Sequence, residues 1–402
     1  MTTKINNEHK KLNVPNKQEQ NQTCLDSAER EGLRPKGNVP NLRFPEFQGE
    51  WEKCKLGDYG KVVTGNTPPT KDIENYENGT YLWASPADLG TIKSITETKT
   101  MLSAQGFSKT RTLPKGSVLV TCIGSTIGKA GMATKEMSTN QQINSIVVND
   151  NNDNEFVYYA IQSAFPRYLS SIAVQAVPII SKSAFELLPN NRPYLQEQKK
   201  IGKFLSMLDE RIATQNKIID KLQSLIKGIA QKIVHSNKPN VCLSECLEFK
   251  TSTLQESDVC EHGVYPVYGA NGIVGYLDNY NTEGEAVYII KDGSGVGTVS
   301  YVTGKCSATG TLNTLQAKEG YSLQYLYYLL KVFNFEPYKT GMAIPHIYFK
   351  DYGKAKFFCP SYTEQLQYAQ SLSAIDSKLL VEKNILTSLS MQKKYLLRQM
   401  FI

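Results

Sequence analysis

The chain has 402 residues, a formal net charge of +7, 40% hydrophobic residues and 21% charged residues. That length allows two or three domains with cores of their own, and the composition is that of an ordinary water-soluble globular protein. No run of about 18 apolar residues argues for a membrane span, residues 1–23 lack the apolar stretch of a secretory leader, and eight scattered cysteines suit a reducing cytoplasm.

The positive excess is local. Residues 191–238 carry ten Lys or Arg against four Asp or Glu, residues 42–190 balance, and residues 239–358 have three more acids than bases. Global charge is therefore weak evidence for a nucleic-acid partner.

In chain order, residues 1–38 lack aromatic residues and are rich in Asn, Lys, Gln and Glu. They cannot bury a core and are expected to form a disordered tail. Residues 39–190 then read as a first mixed domain. Within it "GSVLVTCIGSTIGKAG" (116–131) is a β-branched strand entering a Gly-rich turn.

Residues 191–238 form a spacer helix. No proline occurs from Leu195 to His235, and Ile201, Leu205, Leu208, Ile212, Ile219, Leu222, Ile226, Ile229 and Ile233 alternate at spacings of four and three, interrupted by Gln215. Such a heptad seam requires a partner helix and rises about 50 Å.

Residues 239–358 repeat the first domain in shorter form. "GEAVYIIKDGSGVGTV" (284–299) echoes 116–131, Asn313 echoes Asn144, and Tyr327-Tyr328 echo Tyr158-Tyr159 at an offset of 169. "AIPHIYFKDY" (343–352) likewise echoes "AVPIISKSAF" (176–185). The tyrosines are expected in the core.

Residues 359–402 form the second spacer helix. "PSYTEQLQYAQSLSAIDSKL" (360–379) matches "PYLQEQKKIGKFLSMLDERI" (193–212) at an offset of 167, with Pro, Glu-Gln, Leu-Ser and Asp in register. Its seam runs through Leu372, Ile375, Leu379, Leu386, Leu389, Leu396 and Met400, with Glu382 where the first helix has Gln215.

The order domain, helix, domain, helix gives an α+β fold. Two similar mixed α/β domains are separated by two long antiparallel coiled-coil helices related by a pseudo-twofold internal repeat. Gln215 and Glu382 are then expected within about one helical turn of each other, as a polar layer that fixes register.

Catalytic signatures are weak. "GSTIGKA" (124–130) has three residues between its glycines and Ala after the lysine, so it fails as a Walker A loop. "NTPP" (66–69) only superficially resembles the Asn-Pro-Pro-aromatic motif of amino-methyltransferases, and no Pro-Asp dipeptide opens a nuclease motif. Cys242, Cys246, Cys260 and His262 have no standard zinc-finger spacing, and "VCLSEC" reads as a strand edge. No metal site is expected, and four histidines without evident partners leave nucleophilic catalysis unsupported.

Taken in order, "NVPNLRFPEFQGEWEKCKLGDYG" (38–60), "YPVYGANGIVGYLDNY" (265–280), the Gly-rich strand turns and the duplicated Pro-x-x-x-Glu-Gln helix start resemble the specificity subunit of type I restriction–modification enzymes, over roughly 39–402. The resemblance implies a cytoplasmic, non-catalytic subunit whose two target recognition domains each read half of an asymmetric double-stranded DNA site. Two modification subunits would bind the helices, supply S-adenosylmethionine and methylate adenine. Restriction (motor-nuclease) subunits would add ATP- and Mg-dependent translocation and cleavage. The chain itself is expected to hold no cofactor.

DNA-contacting residues are expected among Lys109, Arg111, Ser125, Thr126 and Lys129 in the first domain, and Asn271, Lys291, Ser294, His346 and Lys350 in the second. These supply compact donors around "SKTRT" and the Gly turns. Two rival classes are a structural adaptor with two ligand-binding heads on a rod, and a self-contained methyltransferase-nuclease.

Overall fold

The structure is a computed structural model that describes residues 37–90, 92–171, 179–236 and 238–402. Most of the expected tail at 1–38 therefore lies outside the described residues. The chain divides into two units, residues up to Arg211 with Leu389–Ile402, and Ile212–Ser388.

The first unit is built on a mixed sheet of β1 (Gly60–Thr64), β2 (Ser94–Ile95), β3 (Val118–Thr121), β4 (Ala130–Ala133) and β5 (Ile143–Val148), in the order β1-β5-β3-β4-β2. Its central strand is buried on both faces, which explains why "VLVT" is apolar without alternation. Val118 and Val120 face a cluster with Phe156 and Tyr159 of helix α1 (Asn154–Ser171). Leu119 faces the opposite cluster, with Leu82, Leu89 and Ile143. A small sheet of Thr100–Leu102, Tyr81–Ala84 and Ser138–Thr139 adjoins it.

Helix α2 (Leu195–His235) spans the unit boundary. In the second unit β6 (Leu247–Thr251), β7 (Ala286–Ile290), β8 (Val299–Val302) and β9 (Leu312–Ala317) are ordered β6-β9-β7-β8. This is the first unit's strand order, with no counterpart of β2 among the described residues. Val287 and Ile289 pack towards helix α3 (Leu323–Leu330), while Ala286, Tyr288 and Ile290 form the cluster on the other face. The repeat reaches the smallest elements. Gly272–Leu277, Tyr265–Gly269 and Ser307–Ala308 copy the small sheet, antiparallel on one side and parallel on the other.

Helix α4 (Tyr362–Gln399) completes the helical pair. In the first unit Ile201 and Leu205 share a cluster with Leu396, Met400 and Phe401. In the second, Ile219, Ile226 and Ile233 share one with Ala369, Leu372 and Leu379. The start of α2 thus meets the end of α4 and the reverse, so the helices run antiparallel. Most of the seam is closed by burial, about 1.5–3 kcal/mol per fully covered aliphatic side chain.

Gln215 and Glu382 meet in the second unit. The Gln215 amide donates to the Glu382 carbonyl at 3.1 Å and to its carboxylate at 2.5 Å. That hydrogen bond, with Lys378 one turn away, holds the Glu382 carboxyl below its usual range.

The duplicated helix start has a shared physical cause. Gln198 donates to the Pro193 carbonyl at 2.9 Å and accepts from the Asp153 N–H at 3.0 Å. Gln365 does the same with Pro360 and the Ser322 N–H, both at 2.9 Å. Each glutamine staples a long helix to the start of the helix before it. The neighbouring glutamates diverge. Glu197 is buried in a bidentate pair with Arg43, at 2.8 and 2.7 Å, while exposed Glu364 accepts from the Ser361 hydroxyl at 2.6 Å.

One sequence expectation needs correction. "VCLSEC" is a strand only at Val241–Cys242, and Leu243–Cys246 turn into a short helix. The side chain of Glu245, three residues on, accepts from the Cys242 N–H and ends the strand there.

Candidate nucleic-acid interface

In both units the third strand of the repeat ends in the same Gly-rich turn, and the turn is fixed by backbone geometry. Gly124 and Gly128 have φ of +92° and +88°, Gly293 and Gly297 +94° and +89°. The Gly128 N–H donates to Thr121 and the Gly297 N–H to Ile290, at 3.0 and 2.9 Å. At Gly128 a side chain is excluded twice over, because a Cβ would also lie 2.5 Å from the Phe165 ring. The same backbone path thus presents Ser125, Thr126 and Lys129 in one unit and Ser294, Gly295 and Thr298 in the other, with only the serine in common.

Several candidates converge on this end of the first sheet. The Arg111 guanidinium donates to the carbonyl of Thr64, the last residue of β1, at 2.8 Å. Antiparallel register places Thr64 opposite Asn144, and Asn144 opposite Val120 at the turn's approach. Ser125 and Lys129 are exposed and Thr126 half-buried. Lys109 is less available, since its ammonium sits 2.9 Å from the Asn75 side chain and 3.6 Å from Asp72. Sequence reasoning missed Asn66, whose side chain clamps the backbone of Lys109 and Arg111 at 2.9 Å each. It lies more than forty residues from that loop, so no local pattern could reveal it.

In the second unit Lys291, Ser294 and His346 gather at the turn. His346 Nδ1 lies 2.7 Å from Asp292 Oδ1, the Gly293 N–H donates to Pro345 at 3.0 Å, and the Ile347 N–H to Lys291 at 2.9 Å. The first unit repeats the last bond as Ile180 N–H to Cys122 at 2.8 Å. Lys350 is exposed on a short helix with its ammonium 5.3 Å from the Tyr348 ring centre. Asn271 stands apart on the hairpin turn before Gly272.

Tyr158, Tyr159 and Tyr328 are buried, and Tyr327 is half-buried. Cys122, at the first turn, is buried and its thiol is pushed up to about 12, so it carries no thiolate at neutral pH. What these ends offer is hydrogen-bond donors and cations on rigid turns. That chemistry suits phosphate and base-edge contacts rather than bond-breaking.

The family described as type I restriction modification DNA specificity domain matches residues 48–224 and again 236–391. The chain belongs to this family. Within the specificity family, similar curated relatives include the MjaIX specificity subunit of Methanocaldococcus jannaschii, 30% identical over 182 residues, covering 43% of this chain and 42% of that protein. The HindI specificity subunit of Haemophilus influenzae is 28% identical over 186 residues, 44% and 40% of the two chains. These alignments span less than half the length of either relative. Among solved structures, the type I S subunit of M. genitalium aligns with a TM-score of 0.64 at 20% identity, over 90% of this chain and 99% of that one. A chain from a structure concerned with complex assembly of the type I R-M system gives 0.51 at 16% identity, over 88% and 97%. The specificity-subunit fold therefore extends over nearly all of the chain.

Among the described residues no helix is long and apolar enough to cross a membrane.

Proposed function

We propose that this chain is the target-reading subunit of a type I restriction–modification enzyme. Each unit reads one half of a split double-stranded DNA site, and the paired helices hold two modification subunits. Methylation of adenine, with S-adenosylmethionine, belongs to those modification subunits, and ATP- and Mg-dependent cleavage to restriction subunits that join them.

The observation that carries this reading is the same scaffold used twice with different exposed residues. Strand order, turn geometry and helix staple recur, and Ser125 returns as Ser294, whereas Thr126 and Lys129 give way to Gly295 and Thr298. Two copies of one reader with different contact residues suit a bipartite, asymmetric target. The rival reading as an adaptor without nucleic acid gains no support from a family defined by DNA specificity.

Charge predicts how the parts cooperate. Phosphate affinity requires local Lys and Arg, yet residues 42–190 are balanced and 239–358 are acidic overall. The purified chain alone should bind its target DNA only weakly and with little sequence preference at physiological salt. Adding the modification subunit should give tight, target-specific binding in a mobility-shift titration. Tight and specific binding by the chain alone would contradict this division of labour. So would a modification subunit that neither co-purifies with the chain nor changes its DNA affinity.

A further inference from the structure

The missing counterpart of β2 leaves a vacancy in the second unit, and the first unit shows what fills it. In the first unit β2 lies parallel along the outer edge of β4, with Ser94 opposite Met132 and Ile95 opposite Ala133. The Met132 N–H donates to the Lys93 carbonyl at 2.7 Å. Lys93 then turns its ammonium inward, 2.7 Å from Glu155 Oε2, 2.8 Å from Ser206 Oγ and 3.4 Å from the Tyr159 hydroxyl. Tyr159 donates to Asp209 at 2.6 Å, and Asp209 pairs with Lys393 at 2.6 Å. Lys93 thus pairs with Glu155 and Lys393 with the half-buried Asp209, and the Tyr159 hydroxyl lies between Lys93 and Asp209.

The second unit keeps this receptor without either lysine and with neutral Gln324 in place of Glu155, so that Asp376 is the carboxylate left in it. β8 is the sheet's outer edge, and among the described residues no strand pairs with its free side. Tyr301, the counterpart of Met132, lines a groove of about 330 Å³ together with Gln324, Tyr328, Ser373, Asp376 and Lys383. Gln324, Tyr328, Ser373 and Asp376 stand where the first unit has Glu155, Tyr159, Ser206 and Asp209. Tyr328 donates to Asp376 at 3.3 Å. Lys331 sits over the Tyr327 ring, 5.0 Å from its centre, and Lys383 borders the groove, but neither forms an ion pair with Asp376.

We propose that the β8 edge and the Tyr328–Asp376 groove form a docking site for an extended segment of a partner protein, added parallel to β8, with a lysine entering the groove. Main-chain pairing at an open edge supplies affinity, and one side-chain pocket supplies selectivity. The lysine's three N–H donors meet the Gln324 carbonyl oxygen, the Ser373 hydroxyl and the Tyr328 hydroxyl, the counterparts of the three groups that hold Lys93, with the Asp376 carboxylate beside Tyr328 supplying the negative charge. The inference rests on the fold and does not depend on the chain reading DNA.

The test uses the full chain and, as probe, a fluorescent peptide of residues 92–99, "IKSITETK", the sequence that fills the equivalent edge of the first unit. Anisotropy titration should show binding of one peptide per chain. Asp376→Asn in the protein, an isosteric change, should weaken it roughly tenfold or more. Lys93→Gln in the peptide should do the same against the unaltered chain, so the result does not hang on one variant folding. No binding, or binding indifferent to both changes, overturns the proposal.

Discussion

Replacing Leu372 by Ala is expected to destabilise the second unit by about 2–5 kcal/mol. Leu372 has 0% of its surface exposed and packs in the cluster that joins α2 to α4 beneath α3. Truncation removes buried methyl groups and leaves a cavity that two helices with heptad packing cannot collapse without losing their neighbours. Leu380, on the same helix but 61% exposed, is the internal control, and its change to Ala should stay within about 0.5 kcal/mol. Denaturant unfolding followed by helical signal should show a lower midpoint for Leu372→Ala with an unchanged slope. Equal effects at the two leucines would mean that α4 is not held by the face its period designates.

Lengthening both helices by one heptad should change the gap in the DNA target while leaving each half-site as it was. Seven residues add about 10 Å of helix, close to the rise of three base pairs. They also return the seam to the same phase, so packing survives where an insertion of five would break it. The polar layer at Gln215 and Glu382 is the natural point of insertion, because its hydrogen bonds fix the register between the helices. Three extra base pairs also rotate one half-site about the DNA axis, so recognition should move to a longer gap or be lost. Methylation of an oligonucleotide library with every gap from four to twelve base pairs, by the chain with its modification subunit, reads this directly. An unchanged preferred gap would sever helix length from target spacing.

Much of this architecture was legible because it rests on period and repetition. The seam from Ile201 to Ile233 needs only heptad spacing, and the helix it predicts occupies Leu195–His235. The paired glycines of the two turns were legible for a related reason, since a positive φ leaves few alternatives to glycine. What escaped depends on residues distant in sequence. Strands of two residues, such as Ser94–Ile95 and Ser138–Thr139, are too short for any alternation to register. Identical motif letters also concealed different work. Glu197 is buried by Arg43 and Trp51 from the chain's entry segment, and Glu364 has no such neighbours, so it remains a surface cap.

The candidate interface was less legible than the fold. Arg111 and the turn residues Ser125 and Lys129 are presented at one sheet end, but Lys109, chosen on the same grounds, is engaged with Asn75 and Asp72. Sequence shows which residues could donate, whereas availability is set by partners supplied from elsewhere in the chain. Lys93 makes the same point. Nothing in "GTIKSIT" marks it out, because Glu155, Tyr159 and Ser206, which receive it, arrive from two helices far downstream.

The most direct measurement is base-resolution sequencing of methylated adenine in cells carrying this chain with its modification subunit, compared with cells lacking the chain. Methylation is expected at a single bipartite motif with two dissimilar halves and a fixed unspecified gap, their centres about one helical turn apart. A continuous motif, two identical halves, or methylation unaffected by loss of the chain would contradict it.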